Sequence, residues 1–421
     1  MPVRRKNPSV RLKHRNPEAK LMHLASQFRQ AMAAGNYHAA RKFCEDVLAL
    51  TPGNPSVLGD YALTLMRTGD YLKSWQVYSY MFQNKERHRY TGNWLDGLAE
   101  VCGWLGKQDE LKFYGNYALC LADRQCADRK VWPLPASAPT RFQAANRRGN
   151  IIAYSLYGGS PRYCETMIKN AQLMDEFYPA WRCRVYHDDT VPGHVLERLK
   201  ALDVELVDMS GVSGIEPTMW RFLVSDDPGV SRYLVRDADS LFSEKEAVAV
   251  QEWVNSPYYF HHMRDYFTHT ELLLAGMWGG TAGVLPPLEP LMRQFIRSYK
   301  GNPRYTDQQF LRYILWPTVR TSILNHDEIF QFHHARDYPE HGVSRWQDHP
   351  FHIGSNASIS SIGGTVALRD GERLFVDLIS EEGTFRYSIS AHDGQWSLPL
   401  PFFMIDDYQA GQLNVTVSAA V

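Results

Sequence analysis

The sequence predicts a central α/β domain with a mostly parallel sheet, preceded by an all-helical repeat segment and followed by a small β-rich region. Three observations predict it. A Gly-containing unit recurs at helix–turn–helix spacing in the first third of the chain. Short apolar runs alternate with helical stretches between 150 and 240. Residues 360–421 are rich in Gly, Ser and Thr and hold only short alternating runs. The expected divisions are a basic tail over 1–17, helical repeats over 18–126, a linker over 127–149, the α/β domain over 150–355 and the β-rich region over 356–421.

Each division rests on local chemistry. Gly35-Asn36-Tyr37 recurs 34 residues later as Gly69-Asp70-Tyr71, each followed by a small residue, Ala40 and Ser74. A looser third unit runs from Trp104-Leu105-Gly106-Lys107 through Leu111 and Ala118. Glycine serves the tight turn, the small residue lets two helices approach closely, and Pro52 ends the first unit. These residues resemble tetratricopeptide repeats over about 18–125, a pattern that implies a protein-docking groove or a helical spacer. Pro133, Pro135 and Pro139 then mark the linker.

Within the α/β segment, Asn150–Leu156, Trp181–Tyr186, Val204–Met209 and Ser231–Val235 read as strands. Tyr163–Phe177, Val195–Leu202 and Thr218–Ser225 read as the helices between them. This βαβ alternation argues for a parallel sheet, and ligands of such sheets bind beyond the carboxyl ends of the strands. Tyr157, Asp188, Asp189, Asp237 and Asp239 all fall at such ends. No helix is expected after residue 354.

Composition narrows the function classes. Hydrophobic residues make up 44% and charged residues 22%, which excludes a disordered or fibrous chain. Lys and Arg number 45 against 46 Asp and Glu, so no global field draws in nucleic acid. No run of 18 apolar residues predicts a transmembrane helix, and the basic N-terminus lacks the apolar core of a secretory signal. Six cysteines without CxxC pairs are expected to be reduced thiols in a cytoplasmic protein. There is no GxSxG elbow, no P-loop and no GxGxxG.

Asp237-Ala238-Asp239 is the sharpest chemical feature. Two carboxylates at i and i+2 just past a buried strand can both reach one divalent cation if the chain turns there, and hard oxygen ligands suit Mn²⁺ or Mg²⁺. The competing account is a solvated turn that caps the following helix.

The ordered set YSLYG (154–158), VYHDD (185–189), MWRFLVSDD (219–227), RYLVRDADS (232–240), GMWGG (276–280), TDQQFL (306–311) and NHDEIF (325–330) resembles GT-A fold glycosyltransferases. Their central domain is Rossmann-like, and the likeness is loosely to glycosyltransferase family 8. The resemblance covers about half the chain. It implies that Asp237 and Asp239 coordinate Mn²⁺ or Mg²⁺ on the diphosphate of a nucleotide sugar, with UDP-hexose as donor. It implies that Tyr157 packs on the base, that Asp188 lies near base or ribose, and that Arg221 reaches the donor. Gly276–Gly280 would shape the sugar and acceptor pocket, and Asp307-Gln308 would lie near the reacting sugar.

For the third metal ligand His326 and His352 compete, with His326 favoured; the full His-x-x-Gly-x-x-Lys motif is absent. Arg236 or Arg264 is then a candidate for the missing positive charge, or a structural ion-pair partner. The expected activity is transfer of a hexose to a glycan or protein acceptor, with Asp307 as general base if the enzyme inverts. A partner protein could dock on the repeats, and the basic tail (Arg4, Arg5, Lys6, Arg11, Lys13, Arg15) reads by default as a disordered solubilising tail, with peripheral membrane contact as its alternative use. The alternative is a non-catalytic repeat scaffold with a degenerate sugar- or nucleotide-binding domain.

Overall fold

A computed structural model describes residues 17–90 and 92–419; the basic tail lies outside the described residues. Two compact units divide the chain, residues 1–118 and 119–421. The first is all-helical, with α1 (Pro17–Ala33), α2 (Tyr37–Leu50), α3 (Pro55–Arg67), α4 (Tyr71–Gln83), α5 (Trp94–Trp104) and α6 (Gln108–Arg124), whose last turns enter the second unit. The repeated glycines share one geometry. Gly35, Gly69 and Gly106 all adopt positive φ after a helix. In each case the following N–H reaches back across the last turn: Asn36 to the Ala31 carbonyl, Asp70 to Leu65 and Lys107 to Cys102. That is a Schellman termination, which a side chain with a Cβ disfavours. Ala40 and Ser74 are fully buried, and the Ser74 hydroxyl donates to the Ala62 carbonyl at 2.7 Å.

The second unit is built on a seven-stranded mixed sheet. Its strands and helices run β1 (Asn150–Leu156), α7 (Pro161–Phe177), β2 (Arg182–His187), α8 (Gly193–Ala201), β3 (Glu205–Asp208), β4 (Arg232–Arg236), α9 (Glu244–Val254), β5 (Phe260–Arg264), β6 (Met277–Thr281), α10 (Leu288–Ser298), α11 (Thr306–Phe310), α12 (Trp316–Val319) and β7 (Ile323–Asp327). The strand order is β3-β2-β1-β4-β6-β5-β7. β6 alone runs antiparallel to its neighbours, so the carboxyl ends of the other six strands share one edge with the start of β6. Every residue of β1 and β4 is buried, as central strands covered on both faces must be. The expected helix at 218–225 is a 3₁₀ run over Pro217–Asp226.

A buried ion pair locks β4 to the helix that follows it. Arg236 Nε donates to Glu246 Oε1 at 2.6 Å, and Tyr178 donates to the same oxygen at 2.9 Å. Both charged side chains are at most 4% exposed. Arg236 therefore turns inward and supplies no charge to the strand edge. Arg264 is likewise spent inside, on Asp327 Oδ2 at 3.3 Å and the His269 carbonyl at 2.7 Å.

The C-terminal region forms two small sheets, β10-β9-β12 and β11-β8, from β8 (Ser360–Thr365), β9 (Arg373–Ser380), β10 (Gly383–Ser390), β11 (Gln395–Leu400) and β12 (Asn414–Ala419). Leu374, Val376, Tyr387 and Leu398 share one core with Met167 and Ile168 of α7. Contrary to expectation this region holds a helix, α13 (Phe402–Gln409); Phe402 and Met404 bury themselves while Asp406 and Asp407 face outward. Two backbone hydrogen bonds link the region to the end of β4. Ala357 N–H donates to the Asp239 carbonyl at 2.8 Å, and Phe402 N–H donates to the Ala357 carbonyl at 2.8 Å. All six cysteines are free thiols. Among the described residues no helix is long and apolar enough to cross a membrane.

Glu246→Gln removes one partner of a desolvated pair and leaves the Arg236 guanidinium uncompensated. Chemical denaturation is expected to show a loss of about 3–5 kcal/mol.

Candidate active site

β4 ends at Arg236, and the chain turns at once through Asp237-Ala238-Asp239-Ser240. The turn does not cap α9; Ser243 does that, its hydroxyl accepting the Glu246 N–H at 3.3 Å. The two carboxylates instead face guanidinium groups from other elements. Asp237 Oδ1 receives Arg221 Nη1, and Asp239 Oδ2 receives Arg162 Nη2 at 2.6 Å and Nε at 3.1 Å. Arg162 lies in the first turn of α7, beyond the carboxyl end of β1.

Arg221 organises the centre. Its side chain is 5% exposed. Nη1 also donates to the Arg236 carbonyl at 2.9 Å, and Nη2 reaches Asp307 Oδ2 at 3.4 Å. Its own backbone N–H donates to the Ser155 hydroxyl on β1 at 3.1 Å. Burial opposes the charge, but Asp237 and then Asp307 more than offset it and keep the guanidinium protonated. The Nε atom is buried with no hydrogen-bond partner.

The carboxylates feel the same enclosure. Burial lifts the Asp239 carboxyl above the usual range, and the neighbouring charge of Asp237 adds to it. Asp307, on α11, is also lifted by burial, against the pull of Arg221. The turn 274–276 closes one side. Gly276 has no Cβ because one would fall on the Asp237 carboxylate.

Aromatic and turn residues line the adjoining edge. Tyr157 follows β1, is 41% exposed, and meets Trp220 edge-on at 6.1 Å. Asp188 follows β2 and caps its own turn, accepting the Thr190 N–H at 3.1 Å and its hydroxyl. The Thr190 hydroxyl in turn accepts the Gly158 N–H at 2.6 Å, which ties the two loops together.

Two expected site residues stand elsewhere or do other work. His326 sits on β7, and two strands intervene between β7 and β4, which places it roughly 14 Å across the sheet. Both its ring nitrogens are engaged, Nδ1 with His261 at 2.9 Å and Nε2 with Glu252 at 2.9 Å. It is a buried, partnered core residue and offers no lone pair to an ion at Asp237 and Asp239. Gln308 spends its side-chain amide on the 273–275 turn, donating to the Leu273 carbonyl at 2.5 Å and accepting the Ala275 N–H at 3.1 Å. Both ends of the amide thus hold the turn that leads into Gly276.

His352 stacks on Tyr266 at 3.8 Å and gathers with Asp265 and His269, the three donor atoms lying within 4.8 Å of one another. The His269 Nδ1 already accepts the N–H groups of Asp265 and Tyr266, so Nε2 keeps the proton and is not a ligand. Asp265 Oδ2 accepts the Ile353 N–H at 3.1 Å, while Oδ1 is buried without a partner. Burial pushes its carboxyl up to about 7. Sequence reasoning missed Arg162, which lies 77 residues before Asp239 and carries no motif.

No protein-family model matches the chain, and no curated protein matches its sequence. Among solved structures, similarity extends to a mutant O-GlcNAc transferase from Thermobaculum terrenum, at 18% identity and a TM-score of 0.27; 52% of this chain and 46% of that chain are covered. This chain thus spans less than half of that transferase. A mannosyltransferase from Pyrobaculum calidifontis, solved with GDP-Man and Mn²⁺, is similar at 13% identity and a TM-score of 0.29, over 56% of this chain and 67% of the other. Glucosyl-3-phosphoglycerate synthase from Mycobacterium tuberculosis, solved with Mg²⁺ and UDP, is similar at 8% identity and a TM-score of 0.27, over 64% and 100%.

Two outcomes follow from this geometry. Gly276→Ala puts a methyl group on the Asp237 carboxylate and pushes it off the buried Arg221, so the melting temperature is expected to fall, read in thermal melts against wild type. The folded protein also holds a proton on Asp265 between the unfolded value of about 3.9 and the folded value of about 7, so stability falls as pH rises through that window. Asp265→Asn keeps an oxygen for Ile353 and is expected to flatten that slope, with a gain of up to about 4 kcal/mol at pH 8 in denaturant titrations.

Proposed function

We propose that this chain is a metal-dependent glycosyltransferase that moves a hexose from a nucleoside-diphosphate sugar, UDP-hexose first, to a glycan or protein acceptor. The observation that carries the reading is the gathering of Asp237, Asp239, Arg221 and Asp307 where β4 leaves the sheet, beside a half-exposed Tyr157. Three carboxylates and a fixed guanidinium at the carboxyl edge of an α/β sheet suit a metal–diphosphate complex better than an organic anion alone.

The donor set fits the ion. Asp237 and Asp239 offer hard carboxylate oxygens, the kind that Mn²⁺ and Mg²⁺ take, and the missing Cβ of Gly276 keeps Asp237 in place. When bound, the ion would neutralise charge that develops on the leaving diphosphate. The chain's own groups do the rest. Arg221 is pre-positioned by the Arg236 carbonyl and adds a fixed positive charge without reorganising. Tyr157 presents a ring face for the base, and Asp188 holds the turn beneath it. Asp307, raised by burial, is the carboxylate placed to accept a proton from an attacking hydroxyl if the reaction inverts. The helical segment would recruit the acceptor or a partner.

The test is calorimetric titration of UDP with and without Mn²⁺ into the wild type and Asp239→Ala. Binding that requires Mn²⁺ and is lost in the variant supports the reading and directs a donor-sugar screen. Silence towards UDP, GDP and CDP alike overturns it and leaves a non-catalytic binding module.

A further inference from the structure

Resting on that reading, we infer that Arg162 is an exchangeable counter-ion. It holds Asp239 while the site is empty, then releases it to the metal and moves onto the donor's diphosphate.

The two arginines at the site differ in how firmly they are held. Arg221 is 5% exposed and tied to the Arg236 carbonyl, Asp237 and Asp307, so it has nowhere to go. Arg162 is 34% exposed, and among the described residues the polar contacts of its guanidinium all run to one atom, Asp239 Oδ2. Two N–H groups converging on a single oxygen leave the planar fork of the guanidinium unmatched, whereas two oxygens of a phosphate fill it. Below it lies the Tyr163 ring, 5.0 Å from the guanidinium carbon, which gives the group a surface to slide over without losing all contact.

Competition for the carboxylate drives the exchange. Asp239 is only 14% exposed and both Arg162 contacts fall on its Oδ2, so a cation that takes that oxygen must displace the guanidinium. A divalent ion outbids a single positive charge for the oxygen, and the freed guanidinium is repelled by the ion. The nearest compensating charge is then the diphosphate bound to that ion. In this arrangement Arg162 weakens the bare metal and strengthens the metal–nucleotide complex.

The two effects have opposite signs, which a structural role does not produce. Calorimetry of the full chain would compare wild type, Arg162→Met and Arg162→Lys, first with MnCl₂ alone, then with UDP at saturating Mn²⁺, with thermal melts as a check on folding. Expected for Arg162→Met is several-fold tighter binding of Mn²⁺ alone and roughly ten- to hundred-fold weaker binding of UDP, the range for a lost charged hydrogen bond. Arg162→Lys keeps the charge without the fork and should fall between on both axes; it carries the test if the Met variant does not fold. If wild type binds UDP with Mn²⁺ but both affinities fall together or stay unchanged in the variants, the exchange is wrong and the transferase reading stands. If wild type binds no nucleotide, both fall.

Discussion

The candidate site depends on one buried guanidinium. Arg221 joins β1 through the Ser155 hydroxyl, the end of β4 through the Arg236 carbonyl and Asp237, and α11 through Asp307. Three elements far apart in sequence meet on its atoms. A charge this deep is tolerated only because two carboxylates and a carbonyl surround it. Remove that charge and the buried Asp307 carboxylate loses its cation while the charge of Asp237 still opposes it. The acidic edge is therefore not a loose collection of aspartates. It is assembled around a fixed positive centre, with a second and more exposed cation, Arg162, at its outer side.

Behind this centre the protein uses a second buried pair for a different purpose. Arg236 and Glu246 face into the core with Tyr178, on the other side of the strand from the site. Alternation along β4 explains the division of labour: neighbouring residues point to opposite faces, so Arg236 anchors α9 while Asp237, released from the sheet, faces the edge. Adjacent charges in the sequence thus serve stability and chemistry separately.

The α/β class, the helical hairpins and the first four strands were legible because they rest on local signals: apolar runs, Gly turns and helical spacing. β5 and β6 were not, since FHHMR and MWGGT look like neither a hydrophobic strand nor a helix. Their burial depends on partners that the sequence does not order, such as His262 Nδ1 with Asn325 at 3.0 Å. That gap accounts for His326. It follows an apolar run near a plausible motif, but with β6 and β5 inserted between β4 and β7 it ends far from the aspartates. The tie from the Gln308 amide to a turn 35 residues away was hidden for a related reason, because such a contact carries no mark in sequence. The short helix α13 was hidden by its aromatic start within a β-rich stretch.

The pair of backbone hydrogen bonds from Phe402 to Ala357 and from Ala357 to Asp239 gives the C-terminal region a mechanical meaning. It is a buttress. The carbonyl of the second aspartate is pinned by a segment that is itself pinned by the start of a helix more than forty residues further on. A chain shortened before Phe402 would keep every side chain of the candidate site and lose the strut that holds one of them still. Precision at the aspartate turn is thus borrowed from a region that contributes no side chain to it.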